Sequence, residues 1–214
     1  MRHAGRGRRY LAVAEATILR SMTCPSPPVN LKSSCQLKLD EVAYAISTVL
    51  ALNGIAVVED GERFAQVVPM VQRADVRTRA PKPEPGAKLF DPNKVPSTGF
   101  TDLPRPLTEA ERVEQEFDRL QKAFYDFIHY KSPPDRPAKR LLEFYASLTE
   151  KTAVPEKGFD ELPIWFHIET PVSKIELLYA IETIFALSNL AIIPVDDQRI
   201  RLGHITDQGK RSER

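Results

Sequence analysis

The sequence predicts an α+β protein: two copies of a small module, each with two helices on one face of a sheet, joined by a proline-rich linker and a long amphipathic helix. Three observations carry that expectation. Shifted by 135 positions, residues 10–58 align with residues 145–193 without a gap. Seven of the 18 prolines fall between Pro81 and Pro106, where they interrupt regular structure. Just beyond them, Val113, Phe117, Leu120, Phe124 and Phe127 recur at the spacing of an amphipathic helix.

The repeat is the most specific of the three. Twelve of its 49 pairs are identical, and eight of these lie in one 16-residue window. The eight are Glu41/Glu176, Tyr44/Tyr179, Ala45/Ala180, Ile46/Ile181, Thr48/Thr183, Ala51/Ala186, Leu52/Leu187 and Ala56/Ala191. Thr17/Thr152 and Pro28/Pro163 keep the same offset, which two merely similar helices would not require. Most other pairs exchange one apolar residue for another, as in Val49/Ile184 and Val57/Ile192.

Taken in order, residues 1–9 form a basic, frayed terminus with Arg2, Arg6, Arg8 and Arg9. Residues 10–71 are module one, and 72–106 are an extended, poorly packed linker. Thr108 with Glu111 makes a capping box, which opens a helix over 109–130 within the segment 107–131; Ser132-Pro133-Pro134 ends it. Module two covers 135–205, and 206–214 is a disordered tail. Its first helix opens at Asp135-Arg136-Pro137 and buries Leu141, Leu142, Tyr145 and Leu148. Thr152 to Val154 is a short strand. Ile164 to Ile168 alternates as a half-buried strand, with Ile164, Phe166 and Ile168 on one face. Ser173 caps a second helix, with Glu176 completing the box. Leu190–Ile193 and Arg199–Leu202 pair around the turn Asp196-Asp197-Gln198. In module one the terminal hairpin runs from Val57 to Val68, and Gly54 takes the left-handed helix-end position that Asn189 holds in module two.

The second helix of each module has two distinct sides. Leu177, Leu178, Ile181, Ile184 and Phe185 face the sheet; in module one these are Val42, Ala43, Ile46, Val49 and Leu50. The opposite side carries Glu176, Tyr179 and Thr183, identical to Glu41, Tyr44 and Thr48. That stripe is either a shared binding surface or packs under the module's own first helix. Module one has a gap: Arg6 and Gly7 stand where module two has Leu141 and Leu142. Its first helix is short or missing, so either the chain begins further upstream or the 109–130 helix supplies the cover.

Composition narrows the function classes. Hydrophobic residues are 42% and charged residues 28%, which excludes wholesale disorder. No stretch reaches the roughly 20 apolar residues of a membrane span. Thirty Lys and Arg against 29 Asp and Glu give a net charge of +1, so no global field draws the chain to nucleic acid or an anionic membrane. Cys24 and Cys35 fit neither a disulfide framework nor a metal motif and read as inert thiols. His3, His129, His167 and His204 show no metal-ligand spacing; His167 and His204 fall on potentially neighbouring strands without a placed carboxylate. No nucleophile elbow, phosphate loop or dinucleotide fingerprint occurs. The expectation is a protein with no enzymatic activity, no cofactor and no metal.

The run from Leu39-Asp40-Glu41 through Tyr44-Ala45-Ile46 and Asn53-Gly54-Ile55-Ala56-Val57-Val58 to Val67-Val68-Pro69 resembles the periplasmic N-domain of bacterial secretins, in particular the ring-building N1-type module of type II secretion and type IV pilus systems. The resemblance covers about 10–70 and 136–205. The second copy departs from the pattern, with Asn189 in place of the glycine and His204 in place of the proline. The resemblance implies a KH-like α+β module, a periplasmic location in the bacterial cell envelope, and a scaffold role in protein transport through protein–protein interaction, without the secretin pore. The chain as written has no secretory signal, since Glu15 interrupts the apolar run after the basic residues; without export the location is cytoplasmic. The expected partners are other protein modules, either further copies of the chain or secretion and pilus components. The interface candidates are Glu41, Tyr44, Thr48, Val67, Trp165, Glu176, Tyr179, Thr183 and Arg201. The alternative, a KH-like nucleic-acid-binding module, lacks the GxxG loop that clamps a backbone.

Overall fold

Apolar and β-branched runs separated by turn residues dictate short strands here, and the computed structural model arranges them as a mixed α+β fold with small sheets and several helices. The structure describes residues 17–21, 23–24, 32, 36–76, 78–82, 84–95, 108–129, 136–159, 162–164 and 166–207. The basic terminus 1–9, Cys35, Trp165 and residues 208–214 lie outside the described residues.

The first half contains β1 (Thr17–Arg20), α1 (Leu39–Leu52), β2 (Ile55–Asp60) and β3 (Phe64–Pro69), followed by a 3₁₀ turn over Met70–Asp75. Its sheet has the order β1-β3-β2, with β1 parallel and β2 antiparallel to β3. Then come β4 (Leu89–Phe90), α2 (Glu109–Ile128), β5 (Arg136–Pro137), α3 (Ala138–Leu148), β6 (Thr152–Ala153), β7 (Pro163–Ile164), β8 (Val172–Ser173), α4 (Lys174–Leu187), β9 (Leu190–Pro194) and β10 (Arg199–His204). The second sheet has the order β6-β10-β9, again with one parallel and one antiparallel neighbour of the central strand. Helices α1 and α4 have bounds 135 positions apart, as do β3 and β10. The pairings Thr17↔Phe64 and Thr152↔Arg199 keep that offset too.

Local signals set the helix starts. Thr108 accepts from the Glu111 amide while Glu111 accepts from the Thr108 amide. Ser173 and Glu176 make the same reciprocal pair at α4. Gly54 at φ +74° and Asn189 at φ +58° turn the chain out of α1 and α4 through the left-handed region.

The core lies mainly in the second half. Leu177, Ala180, Ile181, Ile184 and Phe185 of α4 are buried with Leu141, Leu142 and Leu148 of α3 and with Ile200 and Leu202 of β10. Each such side chain contributes about 1.5–3 kcal/mol. The corresponding α1 side chains Val42, Ala43, Val49 and Leu50 are only half-buried, and Ile46 is 45% exposed.

Four expectations are corrected. Among the described residues, α2 packs mainly on α3 and β4 rather than on the first sheet: Phe124 and Phe127 stack on Phe144 of α3, and Phe124 also meets Phe90. The linker is not uniformly loose, because β4 pairs with β8, Phe90 is buried, and Gln121 brackets Asp91 through the bonds Asp91 N–H to Oε1 and Nε2–H to the Asp91 carbonyl. Helix α3 begins at Ala138; the preceding Arg136–Pro137 pairs as a strand with Pro163–Ile164 instead. Among the described residues of the expected 164–168 strand, Ile164 alone is in a ladder, opposite Arg136, although Ile164, Phe166 and Ile168 are all buried.

Candidate protein-docking site

A seam between the first sheet and α4 brings together residues far apart in the chain. Alternation along β1 and β3 places Thr17, Leu19, Phe64 and Gln66 on one face. That face meets the polar-aromatic stripe of α4. Phe64 lies edge-on to Tyr179, with ring centroids 5.8 Å apart. The Ser21 hydroxyl donates to the Leu187 carbonyl at 3.0 Å. Arg63, in the turn before β3, donates from Nη2 to the Pro171 carbonyl and from Nη1 to Glu176 at 3.0 Å.

Two carboxylates are fully buried along the seam. Glu176 accepts from the Ser173 amide and hydroxyl, both at 2.8 Å, while the Arg63 guanidinium balances its charge. Its Oε1 has no hydrogen bond of good geometry, yet Arg63 Nη1 lies 3.0 Å away. The charge contact decides the matter, since Coulomb attraction falls slowly with angle. Asp60 accepts from Gln66 Nε2 at 2.7 Å, from the Ala80 amide at 3.0 Å and from the Tyr179 hydroxyl. Burial first, and then the bond to Asp60, push the Tyr179 hydroxyl up to about 12. One turn further along α4, Glu182 accepts at 2.6 Å from the hydroxyl of Tyr145 on α3, whose pKa is raised by burial first and then by that bond. A cleft of about 700 Å³ runs beside the seam, lined by Gln66, Val68, Gln72, Arg79, Thr183 and Asn189 among others.

The nine interface candidates fall in different places. Glu176 and Tyr179 are in the seam, and Thr183 lines the cleft beside it. Glu176 and Tyr179 pack against the first sheet rather than under the first helix of their own half. Glu41, Tyr44 and Thr48 lie exposed on α1, with Tyr44 62% accessible. Val67 is half-buried in β3 opposite Val57. Arg201 lies in β10 opposite Ile193 and pairs with Glu156 at 3.2 Å. Trp165 is outside the described residues. His167 bonds Glu169 at 3.1 Å whereas His204 lies edge-on to Phe159, so each takes a different neighbour. Among the described residues, no group of three or more His, Cys, Asp or Glu is placed to hold a metal ion. Cys24 is buried, and burial raises its thiol pKa against the pull of Arg20.

The partners of the stripe, Asp60, Arg63, Phe64 and Gln66, were not singled out from the sequence. Asp60 and Arg63 flank Gly61-Glu62 and read as an ordinary polar hairpin turn. A sign of their role was present: at the repeat offset they become Val195, Gln198, Arg199 and Arg201. At these positions the two halves of the chain differ, although the flanking residues match at the same offset.

No family model, curated protein or solved structure matches the chain. Among the described residues, no helix is long and apolar enough to cross a membrane.

Proposed function

We propose that this protein is a non-enzymatic protein–protein interaction scaffold made of one helix-and-sheet module used twice, resembling the periplasmic N-domains of a bacterial secretin of the type II secretion or type IV pilus kind. The observation that carries the reading is the seam: a sheet face of one half receives a helix stripe of the other through Arg63–Glu176, Asp60–Tyr179 and Phe64–Tyr179. The seam is anchored by a half-buried Tyr and an Arg, residue types that dominate the energetics of protein–protein interfaces. The common offset of helix bounds and strand pairings supports the duplication. The resemblance supplies the envelope setting.

A photo-crosslinking residue at Tyr44 or at Arg201, placed in the chain in its native cell, tests the reading. The expected products join the chain to another copy or to a secretion or pilus component. Recovery of neither from both positions would remove the scaffold reading.

A further inference from the structure

A second cleft, of about 580 Å³, has Ile192 and Pro194 of β9 in its wall. Hydrogen bonds at the two ends of the β9–β10 pair show which backbone groups of β9 are free. The Val195 amide donates to the Arg199 carbonyl at 2.8 Å, and the Ile205 amide to the Asn189 carbonyl at 3.4 Å. Bonded and unbonded positions alternate along an antiparallel pair. In the register Ile193↔Arg201, residues 189, 191, 193 and 195 therefore turn their backbone groups to β10, and Ile192 turns both of its groups away. Among the described residues, no strand lies on that other side of β9. Leu190 is buried and Pro194 has no N–H, so the half-buried Ile192 offers one donor and one acceptor at a short open edge.

The charges around this edge are sorted. Arg79, Lys151 and Glu182 are the charged residues that line the cleft. Neither cation has an ion pair among the described residues, whereas Glu182 is held by the Tyr145 hydroxyl. Arg79 also lines the larger cleft together with Ser188 and Asn189, which puts it toward the start of β9. Lys151 precedes Thr152, the register partner of Arg199, and so stands toward the end of β9. The exposed Ala186 of α4 and Ile192 give the cleft an apolar surface.

We infer that this cleft takes an extended peptide of another protein as an added strand on β9, with an apolar side chain opposite Ile192 and an acidic side chain two residues to either side, against Arg79 and Lys151. The inference rests on the protein-docking reading above and gives the chemistry of the partner. Added strands gain affinity from main-chain hydrogen bonds and specificity from alternate side chains, the two things this edge and its cations provide. The outer two of three alternate side chains stand about 13 Å apart along a strand, which lets one segment reach toward both ends of the edge. The pattern is symmetric, so it fits either strand direction.

The probe is the peptide acetyl-Glu-Thr-Val-Thr-Glu-amide, titrated into nitrogen-labelled full-length chain while the Ile192 amide is followed by NMR. The Ile192 signal should move saturably, with a Kd of about 1 mM or tighter. Arg79→Glu and Lys151→Glu should each weaken binding about tenfold, since each sets like charges together. The double variant should instead prefer acetyl-Lys-Thr-Val-Thr-Lys-amide, a reversal that also shows that it folds. Methylating the peptide nitrogens of Thr, Val and Thr keeps both acids and removes the strand's donors, and should abolish the shift. The inference is overturned by a wild-type chain with no saturable shift, by single variants that bind the acidic peptide as wild type does, or by a double variant without the reversal. It is equally overturned if the methylated peptide or free glutarate moves the Ile192 signal as strongly. Crosslinks from Tyr44 or Arg201, which do not line this cleft, decide the broader scaffold reading separately.

Discussion

At the residue scale, the seam depends on two buried acids whose donors come from the other half of the chain. Arg63→Ala would leave the Glu176 carboxylate buried with only the Ser173 donors. A loss of about 3 kcal/mol in equilibrium urea unfolding is expected, because an unbalanced buried charge is the costly product of such a deletion. Tyr179→Phe keeps the ring against Phe64 and removes one of three donors to Asp60, so a smaller loss, about 1–2 kcal/mol, is expected. Tyr179 also gives a pH signature. Its folded pKa of about 12 lies above the ordinary tyrosine value of about 10. The folded state therefore holds the proton more tightly. The stabilisation is complete below pH ~10 and is lost as pH rises through ~12. Tyr145 is shifted in the same direction, so the double variant Tyr145→Phe/Tyr179→Phe should melt with a flatter alkaline pH dependence than the wild type.

At the element scale, the matched helices α1 and α4 offer a paired test. Ile181 is fully buried whereas its counterpart Ile46 is 45% exposed. Ile181→Asp should abolish cooperative thermal unfolding, because burying an unpaired carboxylate costs several kcal/mol, a large share of a domain's stability. Ile46→Asp should cost less than about 1 kcal/mol. Equal effects would mean that α1 is as well covered as α4. Helix α2 can be tested as well. Phe124 is fully buried against Phe90 and Phe144, so Phe124→Ala should cost about 3–5 kcal/mol by denaturant unfolding. These elements also mark how far the sequence can be read. The caps at Thr108 and Ser173 depend on residues three apart, and the left-handed exits at Gly54 and Asn189 on one residue each, so all four were legible. The pairing of Leu89–Phe90 with Val172–Ser173 was not, because two short segments more than 80 residues apart leave no periodic trace in either sequence. Nor was the target of α2: an apolar stripe states that something will cover it, and Phe144 is one of many candidates. The α4 stripe was found through its identity with α1, but its seat on the first sheet depends on residues that occur in one copy only.

At the scale of the whole molecule, the net charge of +1 predicts little long-range attraction to nucleic acid. Titration with single-stranded RNA at physiological salt should give no affinity at or below micromolar that survives deletion of residues 1–9. The seam has a further consequence in the order of synthesis. The first sheet emerges from the ribosome with Leu19 and Phe64 on a face that its own half does not bury, and Glu176, which answers Arg63, lies 113 residues later. At translation rates of about 5–20 residues per second, that face waits on the order of ten seconds for its cover. During the wait the nascent chain carries Leu19 and Phe64 without the α4 stripe that packs on them in the finished fold.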